Sequence, residues 1–219
     1  MKKLNLINEP TLYYKNKKGK LYYGDMTGFK INGRMKNKCS LVITDPPYAK
    51  KFNYLWDFIG KKAEQLLKEG GSFISLLGHR QIPIAIDVLN KYLNYWWLCG
   101  LENSGRSKRI FVINCYAHFK PALWYVNGKR EKITPHPNDF IKTNIKDWNQ
   151  SYHKQKQPLV FFEHYIEKLT NSNDLVVDFF AGSGTSIIAA DRMRRRWIAI
   201  EKEEKNCELI VNRLNNDFL

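Results

Sequence analysis

The chain has 219 residues, and its 36 lysines and arginines against 21 aspartates and glutamates give a formal net charge of +15. Hydrophobic residues make up 43% of it, which is enough for one folded domain with a core and excludes a disordered chain. A domain this basic is typical of proteins that bind polyanions, so the charge favours nucleic acid as a partner, with solubility as the alternative explanation.

The spacing of the cysteines and histidines predicts no metal site. Cys39, Cys99, Cys115 and Cys207 form no CxxC pair, and the five histidines add no zinc-ligand spacing. The N-terminus lacks an apolar signal segment, and no run approaches the roughly 20 apolar residues of a membrane span. We therefore expect a cytoplasmic protein, or a nuclear one in a eukaryotic host, with no membrane partner.

Strand-like and helix-like segments alternate along the chain, which predicts an α/β domain with a largely parallel sheet over residues 1–219. Apolar runs and helical spacing of apolar residues indicate the following elements: strands at 21–24, 41–44, 72–77, 95–99, 110–115, 122–126, 175–179 and 197–200, and helices at about 55–67, 82–93, 159–169, 185–194 and 203–215. Gly70 and Gly71 are expected to end the first helix. Trp96, Trp97 and Trp124 are expected in the core.

The first motif with chemical meaning is Asp45-Pro46-Pro47-Tyr48, directly after the apolar strand at 41–44. Two consecutive prolines stiffen the backbone and remove two N–H donors, which leaves the carbonyls of Asp45 and Pro46 as acceptors. Two fixed acceptors suit an exocyclic amino group, which has two hydrogens, and the Tyr48 ring suits stacking on a base. The alternative is a rigid loop after a strand.

A second motif marks the change from the strand at 175–179 to the following helix. It reads Asp178, Phe179, Phe180, Ala181, Gly182, Ser183, Gly184, Thr185. Its glycines allow a ligand to approach the backbone, and a helix N-terminus offers unpaired N–H groups. Glu201 ends the next strand, where an acidic residue often binds a ribose diol. The alternative is an ordinary strand-to-helix turn.

The two motifs together resemble the DNA amino-methyltransferases, which act on adenine N6 or cytosine N4. The catalytic motif comes first, as in the permuted β class, and the resemblance runs from about Leu21 to Leu214. It implies a seven-stranded, Rossmann-like methyltransferase sheet and S-adenosylmethionine (SAM) as cofactor. It also implies that Asp45 and Pro46 hold the target amino group and that Tyr48 stacks on a base flipped out of the DNA.

The resemblance further assigns the cofactor contacts. Asp25 would contact the cofactor's adenine, the turn from Asp178 to Thr185 would surround its methionine part, and Glu201, with Lys202 beside it, would hold the ribose. Gln157 belongs to a segment that is similar to the cofactor-covering motif but departs from its commoner His-Pro-Thr-Gln-Lys-Pro form. Asp before Pro-Pro-Tyr is the usual adenine form, so the expected product is N6-methyladenine in DNA.

The basic loop that contains Arg106, Lys108 and Arg109 is a candidate binding site for DNA phosphates, and the alternative is a solvated loop. Segments 100–120 and 127–152 are the candidate substrate-recognition loops, and both are short. Sequence recognition is therefore expected to involve a short site, a homodimer or a partner subunit. The alternatives are a methyltransferase of cytosine N4 or of RNA, and a non-catalytic, nucleic-acid-binding subunit that retains the fold.

Overall fold

The computed structural model describes residues 8–103, 108–110, 113–132, 136–144 and 157–216. Its strands are β1 (Thr11–Lys15), β2 (Gly19–Tyr23), β3 (Cys39–Thr44), β4 (Leu67–Leu76), β5 (Asn94–Glu102), β6 (Lys108–Ile110), β7 (Cys115–Ala117), β8 (Phe119–Val126), β9 (Phe140–Ile141), β10 (Leu175–Asp178) and β11 (Arg196–Glu201). Its α-helices are α1 (Leu55–Leu66), α2 (Ile82–Leu89), α3 (Leu159–Leu169), α4 (Thr185–Arg192) and α5 (Glu204–Asn216). Within these described ranges, every helix is too short or too polar to span a bilayer.

Nine of the strands form one sheet in the order β1-β2-β11-β10-β3-β4-β8-β5-β9. The run from β2 to β4 is parallel throughout, whereas β8 is antiparallel to both β4 and β5. The seven strands from β2 to β5 in this order are those that the sequence predicts, which confirms the mostly parallel α/β sheet. The short strands β1 and β9, which were not predicted, extend it at its two edges.

Helices cover both faces of the sheet, which explains why β3 is buried along its whole length. Leu41 and Ile43 point into one core, which the apolar sides of α3, α4 and α5 complete. Cys39 and Val42 point into the other core, together with α1 and α2. A strand buried on both faces has no polar alternation, so the unbroken apolar run of β3 is the pattern that such a position requires.

The prediction that Gly70 and Gly71 end a helix is wrong. Helix α1 ends at Leu66 and β4 begins at the next residue, so both glycines lie inside a strand. The pairing of β3 with β4 shifts register there, and Gly70 has a φ of +70°. A Cβ on Gly71 would lie 2.9 Å from the Lys68 carbonyl oxygen. The glycines therefore permit an irregularity in a strand rather than a helix end.

The strand predicted at 110–115 is also wrong. Strands β6 and β7 form a separate antiparallel pair, with Ile110 opposite Cys115. Between them Asn114 has a φ of +47°, a left-handed conformation that asparagine tolerates in turns. An apolar run that contains a turn residue of this kind is a hairpin rather than one strand.

Trp96 and Trp97 are not core residues, because their side chains are 43% and 54% exposed. Both lie on β5, whose outer edge pairs with β9 only at Gly100 and Leu101. Trp124, on the neighbouring strand β8, is buried as predicted.

Candidate functional site

The candidate residues meet at one edge of the sheet because four parallel neighbours end there. Strands β3, β10, β11 and β2 run in the same direction, and each is followed by one of the predicted groups. Asp45 follows β3 and Asp25 follows β2, while Asp178 and Glu201 are the last residues of β10 and β11. Ligands of open α/β sheets bind at this carboxyl edge.

Asp178 is 3% exposed, and its carboxylate holds the glycine turn in place. One oxygen accepts hydrogen bonds from the Thr44 hydroxyl at 2.7 Å and the Phe180 N–H at 2.9 Å. The other oxygen accepts a hydrogen bond from the Ser186 hydroxyl. Asp178 thus ties the end of β3 to the turn and to the first residues of α4.

Burial, together with the nearby charge of Asp45, raises the pKa of Asp178 to about 6, although the three hydrogen bonds oppose the shift. A carboxyl group in a dry environment favours its neutral form, whereas donors that point at the carboxylate favour the charged form. The value shows that burial outweighs the hydrogen bonds. The end of β10 therefore holds a carboxyl group that titrates near neutral pH.

Glu201 supports the same turn from the neighbouring strand. One carboxylate oxygen accepts a hydrogen bond from the Gly182 N–H at 2.7 Å, and the other accepts one from the Glu203 N–H at 2.8 Å. Gly182 and Gly184 have φ values of +52° and +79°, which side chains other than glycine rarely adopt. The two glycines allow the chain to turn between β10 and α4 while its N–H groups face these carboxylates.

Asp45 is partly buried, and its carboxylate binds one side chain of its own motif and one that is distant in sequence. One oxygen accepts a hydrogen bond from the Tyr48 hydroxyl, and the other accepts one from the Gln157 amide nitrogen at 2.6 Å. The Tyr48 ring is 37% exposed, so one face of the motif is open to a ligand. Burial raises the pKa of Asp45, and the positive charge of Lys120 and the two hydrogen bonds lower it.

Two cavities, of about 180 Å³ and about 240 Å³, lie on either side of these groups. Asp45, Phe180 and Gly182 line both of them. The first cavity is otherwise lined by Gln157, Phe162, Asp178, Ala181, Ser183, Thr185, Ser186 and Asn206. The second is otherwise lined by Gly24, Asp25, Met26, Pro47, Phe52, Tyr54, Leu55, Phe179, Ile200, Glu201 and Lys202. All but one of the residues predicted to bind the cofactor therefore line these cavities, and the exception, Gly184, lies within the turn.

Asp25 has a partner in the chain itself. Its side chain caps the short 3₁₀-helix Met26–Gly28 by accepting hydrogen bonds from the Thr27 N–H at 2.9 Å and the Thr27 hydroxyl at 2.6 Å. Asp25 remains on the wall of the second cavity. Its predicted contact with the cofactor's adenine remains a prediction.

The predicted phosphate contacts are only partly within the described residues. Arg106 lies outside them, and Lys108 begins β6. Arg109 is exposed on β6 and donates a hydrogen bond to the Asn114 side chain at 2.7 Å. The structure therefore places Arg109 on the surface, and the role of the basic loop on DNA remains a prediction.

Among the polar residues at the site that sequence reasoning missed are Thr44, Ser186 and Lys120. Thr44 directly precedes the first motif, so its position gave a usable signal. Ser186 directly follows the second motif and gave a similar signal, whereas Lys120 gave none, because only the folded chain brings it to Gln157.

Comparison with known proteins identifies the family. A family model described as a DNA methylase of the N6/N4 type matches residues 39–212. The type II methyltransferase M.HindIII of Haemophilus influenzae is 34% identical over 85 residues, which cover 37% of this chain and 28% of that enzyme. M.HpaI of Haemophilus parainfluenzae is 24% identical over 220 residues, which cover 84% of this chain and 70% of that enzyme.

Solved structures agree with the fold. M1.HpyAVI in complex with SAM superimposes with a TM-score of 0.68 at 26% identity, over 81% of this chain and 89% of that chain. The cytosine-N4-specific PvuII DNA methyltransferase reaches a TM-score of 0.74 over 92% and 94% of the two chains, and at 18% identity this shows the fold alone. The fold is that of the SAM-dependent DNA methyltransferases, and the chain belongs to the N6/N4 DNA methylase family, as its two motifs indicate.

Proposed function

We propose that the chain transfers a methyl group from SAM to the N6 amino group of adenine in DNA. The observation that carries this proposal is the position of Asp45, whose side chain lies where the two cavities meet. A cofactor that fills both cavities would have its central part beside this carboxylate. The family match supports the methylation of an exocyclic amino group.

The lining of the cavities fits SAM. The first cavity runs along the glycine turn and would receive the methionine part of SAM. The second lies between Asp25, Glu201 and the ring of Phe52, where acceptors for ribose hydroxyls and an apolar wall meet. M1.HpyAVI, with the same fold, is known as a SAM complex.

When bound, SAM supplies an electrophilic methyl group, and the chain's own residues prepare the amino group that receives it. The nitrogen lone pair of adenine N6 is delocalised into the ring, so N6 is a weak nucleophile. Asp45 and the Pro46 carbonyl accept hydrogen bonds from its two N–H groups and so orient the lone pair. Asp45 then takes the proton that leaves the nitrogen after transfer. Positioning of this kind can lower the activation free energy by roughly 7–11 kcal/mol.

Adenine is preferred in this proposal because Asp45 stands before Pro-Pro-Tyr. Cytosine N4 is the second candidate, since the PvuII enzyme, which shares the fold, is cytosine-N4-specific. DNA is the proposed substrate because of the net charge of +15 and the family. The target base would be flipped out of the duplex to reach Tyr48.

The test is methylation of an unmodified genome with labelled SAM, followed by identification of the methylated nucleosides and mapping of their positions. N6-methyldeoxyadenosine is expected. N4-methyldeoxycytidine would replace the first candidate by the second. Binding of SAM and DNA without transfer would identify a non-catalytic subunit. Single-stranded DNA and RNA serve as competing substrates in the same assay.

The variant Asp45→Ala separates chemistry from cofactor binding. It should bind SAM within a few-fold of the wild-type affinity and transfer no methyl group, because the carboxylate is proposed to hold the target amino group. Calorimetry and the methylation assay measure the two quantities. Transfer by this variant within a few-fold of the wild-type rate would refute the role given to Asp45.

A further inference from the structure

Lys120 lies at the same edge of the sheet, near the beginning of β8. Its ammonium nitrogen is 2.8 Å from the amide oxygen of Gln157 and 5.3 Å from the centre of the Tyr48 ring. Strand β8 is antiparallel to β4, so its first residues lie beside the carboxyl ends of the parallel strands. The strand order thus brings a lysine to the motif at 45–48.

Hydrogen bonds connect Lys120 to Asp45 through Gln157, and in each of them a donor faces an acceptor. The Lys120 ammonium binds the amide oxygen of Gln157, and the Gln157 amide nitrogen donates to Asp45 at 2.6 Å. Lys120 thereby fixes which end of the amide faces the carboxylate, because the reversed amide would place its NH₂ group against a cation and its oxygen against an anion. The position over the Tyr48 ring adds a cation–π attraction.

Several charged groups lie near Asp45. Asp178, from the neighbouring strand β10, carries a second buried carboxyl group whose pKa the charge of Asp45 raises. Asp25, Glu201 and Lys202 line the second cavity together with Asp45. Among the described charged groups, Lys120 is the one whose positive charge lowers the pKa of Asp45.

We propose that Lys120 is a positioning residue for methyl transfer, because it holds Gln157 against Asp45 and keeps Asp45 as the carboxylate that receives the target amino group. This inference rests on the proposed function only for the identity of the reaction. The arrangement of charge itself is a property of the folded chain and can be measured without turnover.

The first experiment follows the carboxyl ¹³C signal of Asp45 against pH in the full chain, with Asp45→Asn used to identify the signal. In Lys120→Met the signal should titrate at a higher pH than in the wild type, because an opposite charge nearby favours the ionised form. Lys120→Arg should restore most of the wild-type value. Lys120→Gln is a second uncharged variant in case Lys120→Met does not fold.

The second experiment measures the single-turnover rate of methyl transfer against pH. Transfer needs the ionised carboxylate, so the rate should fall as the pH falls and Asp45 becomes protonated. In Lys120→Met this fall in rate should occur at a higher pH, displaced by the same amount as the titration of Asp45. Lys129→Met is the matched control. It removes one positive charge at an exposed position beyond the opposite end of β8 and should leave the profile unchanged.

An Asp45 signal that titrates at the same pH in wild type and Lys120→Met would overturn the inference. Superimposed rate profiles of wild type and Lys120→Met would also overturn it. A wild-type protein that transfers no methyl group would instead contradict the proposed function, and the carboxyl titration would still decide the role of Lys120.

Discussion

Replacing Gly184 by alanine tests how the glycine turn depends on the helix packed against it. Gly184 has a φ of +79°, and a Cβ at this position would lie 2.7 Å from Cγ1 of Ile210 on α5. The left-handed conformation costs a residue other than glycine about 1–2 kcal/mol. Overpacking against a fully buried side chain costs about 1–3 kcal/mol more. We therefore expect Gly184→Ala to lower the free energy of unfolding by about 2–5 kcal/mol.

Urea denaturation followed by far-UV circular dichroism measures this loss, and a double-mutant cycle assigns its source. Ile210→Ala removes Cγ1 and should offset about 1–3 kcal/mol of the cost of Gly184→Ala. Ile210→Val is the matched control, because valine keeps a methyl group at the Cγ1 position. Its effect should add to that of Gly184→Ala within about 0.5 kcal/mol.

A Gly184→Ala variant within about 0.5 kcal/mol of the wild type would refute the reasoning, since neither the strain nor the contact would then have the expected size. Equal coupling with Ile210→Ala and Ile210→Val would refute the part that concerns Cγ1. SAM affinity should also fall in Gly184→Ala, because the turn that lines both cavities would have to move.

Three further predictions concern Asp178, Glu201 and the basic loop. Because the pKa of Asp178 is raised to about 6, the protein binds this proton more tightly when folded, and stability falls as pH rises through that range. As the pH is lowered from about 7.5 to about 4.5, the free energy of unfolding of the wild type should therefore rise by about 2 kcal/mol relative to that of Asp178→Asn. Curves of unfolding free energy against pH that run parallel for the two proteins would contradict this. Glu201→Gln should weaken SAM binding about ten-fold or more through the loss of a charge-assisted hydrogen bond, and unchanged calorimetry would place the ribose elsewhere. Replacing Arg106, Lys108 and Arg109 together by alanine should weaken binding to all DNA sequences. It should also flatten the slope of log K against log salt concentration by about two to three units, and an unchanged slope in this variant would show that the loop is only solvated.

The sequence predicted the central sheet because its buried strands are apolar runs, and two of them are followed by a turn of distinctive chemistry. The apolar run before Asp45 and the one that ends at Asp178 both belong to strands covered on two faces, and such runs leave little choice of structure. The position of both motifs at one edge then follows from parallel pairing. These local signals were also sufficient to identify the family.

Features that depend on distant partners were not predictable in this way. Trp96 and Trp97 have the composition of core residues, but β5 lies near the edge of the sheet, and only the strand order shows this. Gly70 and Gly71 come shortly after a run of helical spacing, and glycines there permit either a helix end or an irregular strand. Lys120 is 37 residues from Gln157, and no spacing rule connects a lysine at the start of one strand to an amide before α3.

The glycine turn has a consequence for the thermodynamics of ligand binding. The hydrogen bonds that hold it, which the turn's own backbone N–H groups donate to Asp178 and Glu201, are made within the chain. Fixing the backbone of one residue costs about 1–2 kcal/mol of conformational entropy, and here that cost belongs to folding rather than to binding. A ligand that enters along this turn should therefore bind with a small entropic penalty from loop ordering. Variants that release either carboxylate should transfer part of that penalty to the binding step, where it would appear as a less favourable binding entropy.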